Sequence, residues 1–139
     1  MIDSISVNYV AVIVAAIVNM ALGFAWYSKS LFGKTWMREL GLTDARLESM
    51  KSGMGKVYAL LVVASLLTAY VLAHVVTVFE ATSLMDGVMA GFWMWLGFIA
   101  TTSLNPVLWE KKSWTLYGIN AGYYLVSLAV MGVILTLWQ

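Results

Sequence analysis

A chain of 139 residues that is 62% hydrophobic and 11% charged, with a mean hydropathy of +0.86, is far outside the soluble range of roughly 45–50% apolar and 25% charged. It reads as one integral membrane domain, residues 1–139. The absence of cysteine excludes disulfides, thiolate metal sites and cysteine nucleophiles, one histidine leaves little for metal chemistry, and the +1 charge has no basic face to follow phosphates, which excludes a nucleic-acid partner.

In chain order, Met1 to Ser6 carries Asp3 and no Lys or Arg, and basic residues follow the first apolar run rather than precede it. That run also exceeds the about 7–15 residues of a secretory core, so a permanent span is expected. It covers 7–27 without a charge, about 31 Å of helix at 1.5 Å per residue, which is one hydrocarbon thickness. Asn8, Val12, Ala15, Asn19, Gly23 and Trp26 recur along it at helical spacing. This stripe of mainly small and polar residues is expected to face other helices, because an amide in lipid needs a partner.

The connector 28–56 holds six of the eight Lys and Arg residues. Phe32, Trp36 and Leu40 share one helical face and Lys34 and Arg38 another, which predicts a short amphipathic helix lying in the interface and stopped by Gly41. Phe32, Lys34, Trp36 and Arg38 are its expected lipid contacts, with Trp36 among the headgroups and the two cations beside anionic lipid. Thr43 or Asp44 then caps a second short helix, and Ser52-Gly53-Met54-Gly55 breaks it.

The remaining spans are expected at 57–79, 87–109 and 114–138. Tyr70, His74 and Thr77 share one face of the second. In the third, Gly97, Thr101 and Asn105 align at i, i+4, i+8, and Pro106 should loosen the last turn because it lacks a donor. Gly87-x-x-x-Gly91 and Gly118-x-x-x-Gly122 are helix-contact motifs, within or between subunits. The expected fold class is therefore all-α: a bundle of four transmembrane helices with an amphipathic connector between spans 1 and 2.

All eight cations fall between spans 1 and 2 or between spans 3 and 4. The positive-inside rule then puts both connections in the cytoplasm and both termini outside, in a cell membrane crossed several times.

Several blocks carry a family resemblance: Asn8, then Gly23-x-x-Trp26-Tyr27-Ser28-x-x-Leu31-Phe32-Gly33-x-x-Trp36, then Trp93-x-x-x-Gly97-Phe98. Two more close the chain, Ile119-Asn120-x-Gly122-Tyr123 and Met131-Gly132-x-Ile134-Leu135-x-x-Trp138. Over nearly its whole length the chain resembles the uncharacterised four-span membrane proteins of domain-of-unknown-function family 1761. It departs at Lys29, where that family usually has proline. The resemblance implies the fold and the membrane location and brings no activity with it.

The most pointed polar set is Asn19, Thr101, Thr102, Asn105 and Asn120, which by depth fall in or near the cytoplasmic half. They read either as a polar pocket open from inside or, the heavier reading, as interhelical hydrogen bonds. Tyr70, His74 and Thr77 read as a proton-sensitive gate or, more heavily, as a hydrogen-bonded structural histidine. An aromatic site from Trp93, Trp95 and Tyr123 competes with plain packing. No catalytic triad, paired carboxylates, metal motif or phosphate loop is present and every carboxylate lies outside the spans, so neither an enzyme nor a cofactor is expected.

Two function classes follow: a structural, accessory or lipid-interacting membrane protein, or an oligomeric channel or carrier for a small ion or neutral solute lined by Asn and Thr. Membrane lipids, a homo-oligomeric partner and another, unidentified membrane protein are the expected contacts. Topology is the first test: tags on both termini should be open to protease added outside sealed cells, and tags protected there would overturn the orientation.

Overall fold

The computed structural model describes residues 4–139, so the reading of Asp3 against a cleaved leader lies outside the described residues. Every regular element described is helical, and four helical segments are long and apolar enough to cross a membrane. Helix α1 is Tyr9–Trp26. It starts where Asn8, in extended backbone, accepts the amides of Val10 and Ala11, satisfying donors that the first turn leaves free. The same side chain donates to the Trp138 carbonyl at 3.2 Å, tying the two ends of the chain together.

The exit from α1, where Lys29 stands, is closed by backbone hydrogen bonds. The Phe32 amide returns to the Trp26 carbonyl at 3.1 Å and the Gly33 amide to that of Ser28 at 2.9 Å. A β-carbon on Gly33 would meet the Ser28 carbonyl group at 2.7 Å, so this turn requires glycine. Lys29 pairs with Asp44 at 3.2 Å, but both side chains are well exposed and the pair contributes little.

Helix α2, Gly33–Leu40, has the expected stop: Gly41 is left-handed at φ 70°, and the Leu42 amide reaches back to Met37. Thr43 caps α3, Asp44–Met50, through the Arg46 amide. The glycine-rich stretch after it is less of a break than its composition predicts. One tight 3₁₀ turn, Lys51–Gly53, runs directly into α4, Met54–Val78, which starts ahead of the apolar run at Val57.

The third span differs from the single helix that its hydropathy suggests. Helix α5, Leu84–Met94, begins in a capping box made by Ser83 and Asp86, then widens into a π-helical turn over Trp95–Ala100. A break at 101–103 separates this turn from the short α6, Leu104–Trp109. Pro106 sits one turn past the break and has no amide to give to Thr102. The preceding amides tighten instead, Leu104 onto Thr101 and Asn105 onto Thr102, both at 3.2 Å. The loosening that proline was expected to cause in the last turn therefore begins much earlier.

Helix α7, Trp114–Leu137, is capped by Ser113 and packs against α1, α4 and α5. Its seam with α5 brings backbone onto backbone. A β-carbon on Gly87 would stand 2.6 Å from the Gly132 carbonyl oxygen, and one on Gly91 would collide with the Leu128 carbonyl. Gly87 and Gly91 are thus consumed within the subunit, Gly122 receives the Trp26 ring, and Gly118 faces open space.

The apolar core is one-sided. Ala11, Val12, Ala15, Ala16, Ala69, Leu72, Ala73, Val76, Leu128, Met131 and Leu135 fill the end away from the lysines. At the basic end the helices part, and α4 from 55 to 64 is exposed on every side.

The seam sets a stability prediction. Gly91→Ala should destabilise the purified protein by about 1–3 kcal/mol in denaturant titration, because the clash is with backbone. Gly118→Ala, which meets nothing within 4 Å, should be neutral or stabilising by up to about 1 kcal/mol. The opposite order would remove the seam from the account.

Candidate functional site

The polar residues of α1, α4 and α7 meet around Asn19, near the middle of α1. Its amide nitrogen donates to Ser65 Oγ at 2.6 Å. Its side-chain oxygen accepts from the Tyr123 hydroxyl at 2.8 Å and from the Ser127 hydroxyl. The Tyr123 hydroxyl also lies 3.0 Å from the Asn19 carbonyl. Gly23, one turn further along α1, makes room for it: a β-carbon there would come within 3.2 Å of that hydroxyl. Three helices are joined by one side chain, as a polar group at membrane depth demands.

On the basic side of this knot lies a cavity of about 290 Å³ whose walls include Asn19, Ser65, Tyr27, Leu61 and Tyr124. On the other side the seam is closed by the alanine-rich core, where Ala15 and Ala69 are fully buried and Met131 is 1% exposed. The cavity thus lies on the basic side of Asn19, with the exposed side chains of Phe24 and Leu61 among its walls.

Next to it, sharing Tyr27, Leu61 and Tyr124, is a groove of about 790 Å³ between α4 and α6, with α7 at its back and α2 at one edge. Asn120 stands in this groove, its side-chain oxygen accepting from the Tyr27 hydroxyl at 2.7 Å. Tyr27 packs edge-on against Trp36 at 5.5 Å, so α2 leans on the exit of α1. Trp26 completes the joint, its indole nitrogen donating to the Ile119 carbonyl at 2.9 Å and its ring lying on Gly122.

The π turn is anchored on α7 from both ends. The Trp95 indole donates to the Ala121 carbonyl at 2.7 Å, and the Tyr117 hydroxyl donates to Ala100 at 2.8 Å. Ala100 needs that donor because the Leu104 amide is turned onto Thr101.

The five residues read as one polar set are thus divided. Asn19 forms the knot, while Asn120 and Thr102 line the groove. Thr101 and Thr102 bond back to Gly97 and Phe98 of their own segment, and Asn105 is exposed, away from the other amides. The i, i+4, i+8 reading of Gly97, Thr101 and Asn105 presumes an unbroken α-helix, and the π turn and the break end that register.

His74 holds the Tyr70 carbonyl through its Nδ1 at 2.9 Å and packs on the Tyr70 ring, itself stacked on Tyr9. Thr77 bonds to Ala73 and borders a separate small cleft with Asn8 and Trp138. Trp93 is exposed while Trp95 and Tyr123 are engaged with different partners, so these three rings do not form one site. Lys34 and Arg38 are exposed on α2, with Trp36 half-buried behind them. Among the described residues no group of three His, Asp or Glu side chains is placed to hold a metal.

Ser65 and Tyr123 are the partners that depth and composition did not single out. The available signal was the small-residue stripe Ser65, Ala69, Ala73, a close-approach face at i, i+4, i+8 in α4. Asn19→Leu should remove the three side-chain bonds to Ser65, Tyr123 and Ser127, costing about 2 kcal/mol at about 0.6 kcal/mol per bond. Asn105→Leu, on the exposed face, should stay within about 0.5 kcal/mol. Equal effects in thermal unfolding would contradict this division of the polar set.

The family model described as "Protein of unknown function (DUF1761)" matches residues 10–136. No curated protein and no solved structure matches the chain. The family's match takes in all four apolar helical segments and both halves of the α1–α7 joint, and the chain belongs to the DUF1761 family of proteins of unknown function.

Proposed function

We propose that the protein is a non-enzymatic structural or accessory component of the cell membrane that interacts with lipid. In this reading the basic end is cytoplasmic and both termini are outside. The observation that carries it is the state of Asn19: nitrogen and oxygen are both bonded inside the protein, and the seam beyond them is closed by buried alanines. A transported solute needs polar groups that can exchange partners and a continuous path to both sides. Here the amide contributes to holding three helices together, and the outer half is packed apolar core.

The exposed apolar face of α4, with Leu60, Val63, Leu67 and Val71, suits lipid, a second copy of the chain or another membrane protein. One observation favours the alternative of an oligomeric channel or carrier: the 290 Å³ cavity beside Asn19 adjoins the groove at the basic end, as an inward-facing vestibule would.

A flux assay decides between them. Vesicles carrying the purified protein should leak Na⁺, K⁺, Cl⁻ and glycerol no faster than protein-free vesicles. Flux well above that background, abolished by a folded Asn19 variant such as Asn19→Gln, would establish the transport reading.

A further inference from the structure

Resting on the lipid-interacting reading, we propose that the groove between α4 and α6 is a binding site for one anionic phospholipid, its tails along the groove and its phosphate at Lys112. The groove's volume of about 790 Å³ falls in the range of roughly 300–1,000 Å³ typical of ligand sites. It lies where the bundle is open: Val57 and Leu61 on its α4 wall are 45% and 50% exposed. At this depth the space is filled by water or by tails, and the walls select tails.

Most of the lining is Val, Leu, Pro and aromatic carbon. Several of its polar groups are already engaged: Asn120 accepts from Tyr27, Tyr117 donates to Ala100, and Thr102 donates to Phe98, which leaves Ser103, Tyr124 and the Trp36 indole beside Lys112. Water entering the groove would find few free partners, while an acyl chain gains apolar contact without displacing a hydrogen bond.

The mouth supplies the charge. Lys112 borders the groove at the basic end of the bundle, beside the turn between α6 and α7. Its backbone is fixed there by a tight turn, with Lys111 left-handed at φ 56° and the Lys112 amide bonded to the Pro106 carbonyl at 3.2 Å. The ion pairs among the described residues are Lys29–Asp44 and Lys51–Glu48, so Lys112 has no acidic partner. An unpaired cation at the polar end of an apolar groove matches an amphiphile with an anionic head, and a headgroup phosphate is the form that a membrane supplies.

The test uses the full-length protein in vesicles containing trace photoactivatable phosphatidylglycerol or phosphatidylcholine, each with its reactive group on the tail. Labelled peptides are read by mass spectrometry. Phosphatidylglycerol should label peptides containing Leu61 and Leu116 about fivefold more than phosphatidylcholine does, the preference that one lysine at a membrane surface gives. Lys112→Gln should bring that ratio to about one, by the loss of the same term, while leaving labelling of the Leu67 and Val71 face unchanged. Lys51→Gln should leave the ratio as it was. Leu61→Trp, which fills the groove, should lower labelling by both probes at Leu116.

Equal labelling by the two probes, or a preference that survives Lys112→Gln, overturns the proposal, as does preferential labelling by a photoactivatable free fatty acid. The flux assay separates this outcome from failure of the broader reading. Flux without selective labelling sinks both, and silent vesicles with equal labelling sink the lipid site alone.

Discussion

The structure depends on one side chain at membrane depth. Asn19 cannot leave its amide unpaired in hydrocarbon, and the partners it takes come from two other helices, Ser65 on α4 and Tyr123 with Ser127 on α7. Those bonds fix the rotation of α1 and α4 about α7 and place the alanines at 15, 16, 69 and 73 in the seam. Small residues there let the backbones approach, and the close approach excludes water from the half of the bundle beyond Asn19. On the other side of the amide the helices diverge, and the groove and cavity are the space their divergence leaves.

The third span makes that asymmetry. Near its acidic-turn end α5 lies backbone to backbone on α7 through Gly87, Gly91 and Gly132, a path that a regular helix would continue. The π turn at Trp95–Ala100 releases it, and the break at 101–103 starts a new short helix that forms the far wall of the groove. Interruptions of this kind are stable at membrane depth only when the freed backbone groups find partners, and Tyr117 provides one for Ala100. The irregular segment therefore shapes the groove at the basic end.

Much of this was legible in the sequence, and the reasons are specific. Span positions follow from the spacing of charges, because no Lys, Arg, Asp or Glu can be left in hydrocarbon without a partner. The stop of α2 at Gly41 and the cap at Thr43 follow from local chemistry alone. Depth along a helix is also readable, which is why Asn19 drew notice. Rotation about the helix axis is not, since it depends on which neighbour lies where. Asn105 was therefore grouped with amides it does not meet, and Ser65, a single hydroxyl in an apolar run, was passed over. The π turn was hidden for a related reason: it is held by Trp95 and Tyr117 bonding across to and from α7, contacts that local propensity does not encode. The residues carrying the family resemblance, however, turn out to meet one another. Asn8 meets Trp138, Gly23 meets Tyr123, Trp26 meets Ile119 and Gly122, and Tyr27 meets Asn120. Both ends of the joint between the first and last spans are written in those blocks.

The central claim is that the seam joining α1, α4 and α7 is closed beyond Asn19, with the cavity beside that amide on its basic side. Because the chain has no cysteine, single substitutions report without background. Ala15→Cys and Ala69→Cys in sealed membranes, treated from each side in turn with a small water-soluble thiol reagent, should remain unmodified until the protein is unfolded. Modification of either residue in the folded protein would show a water path through the half described as closed, and would contradict the account.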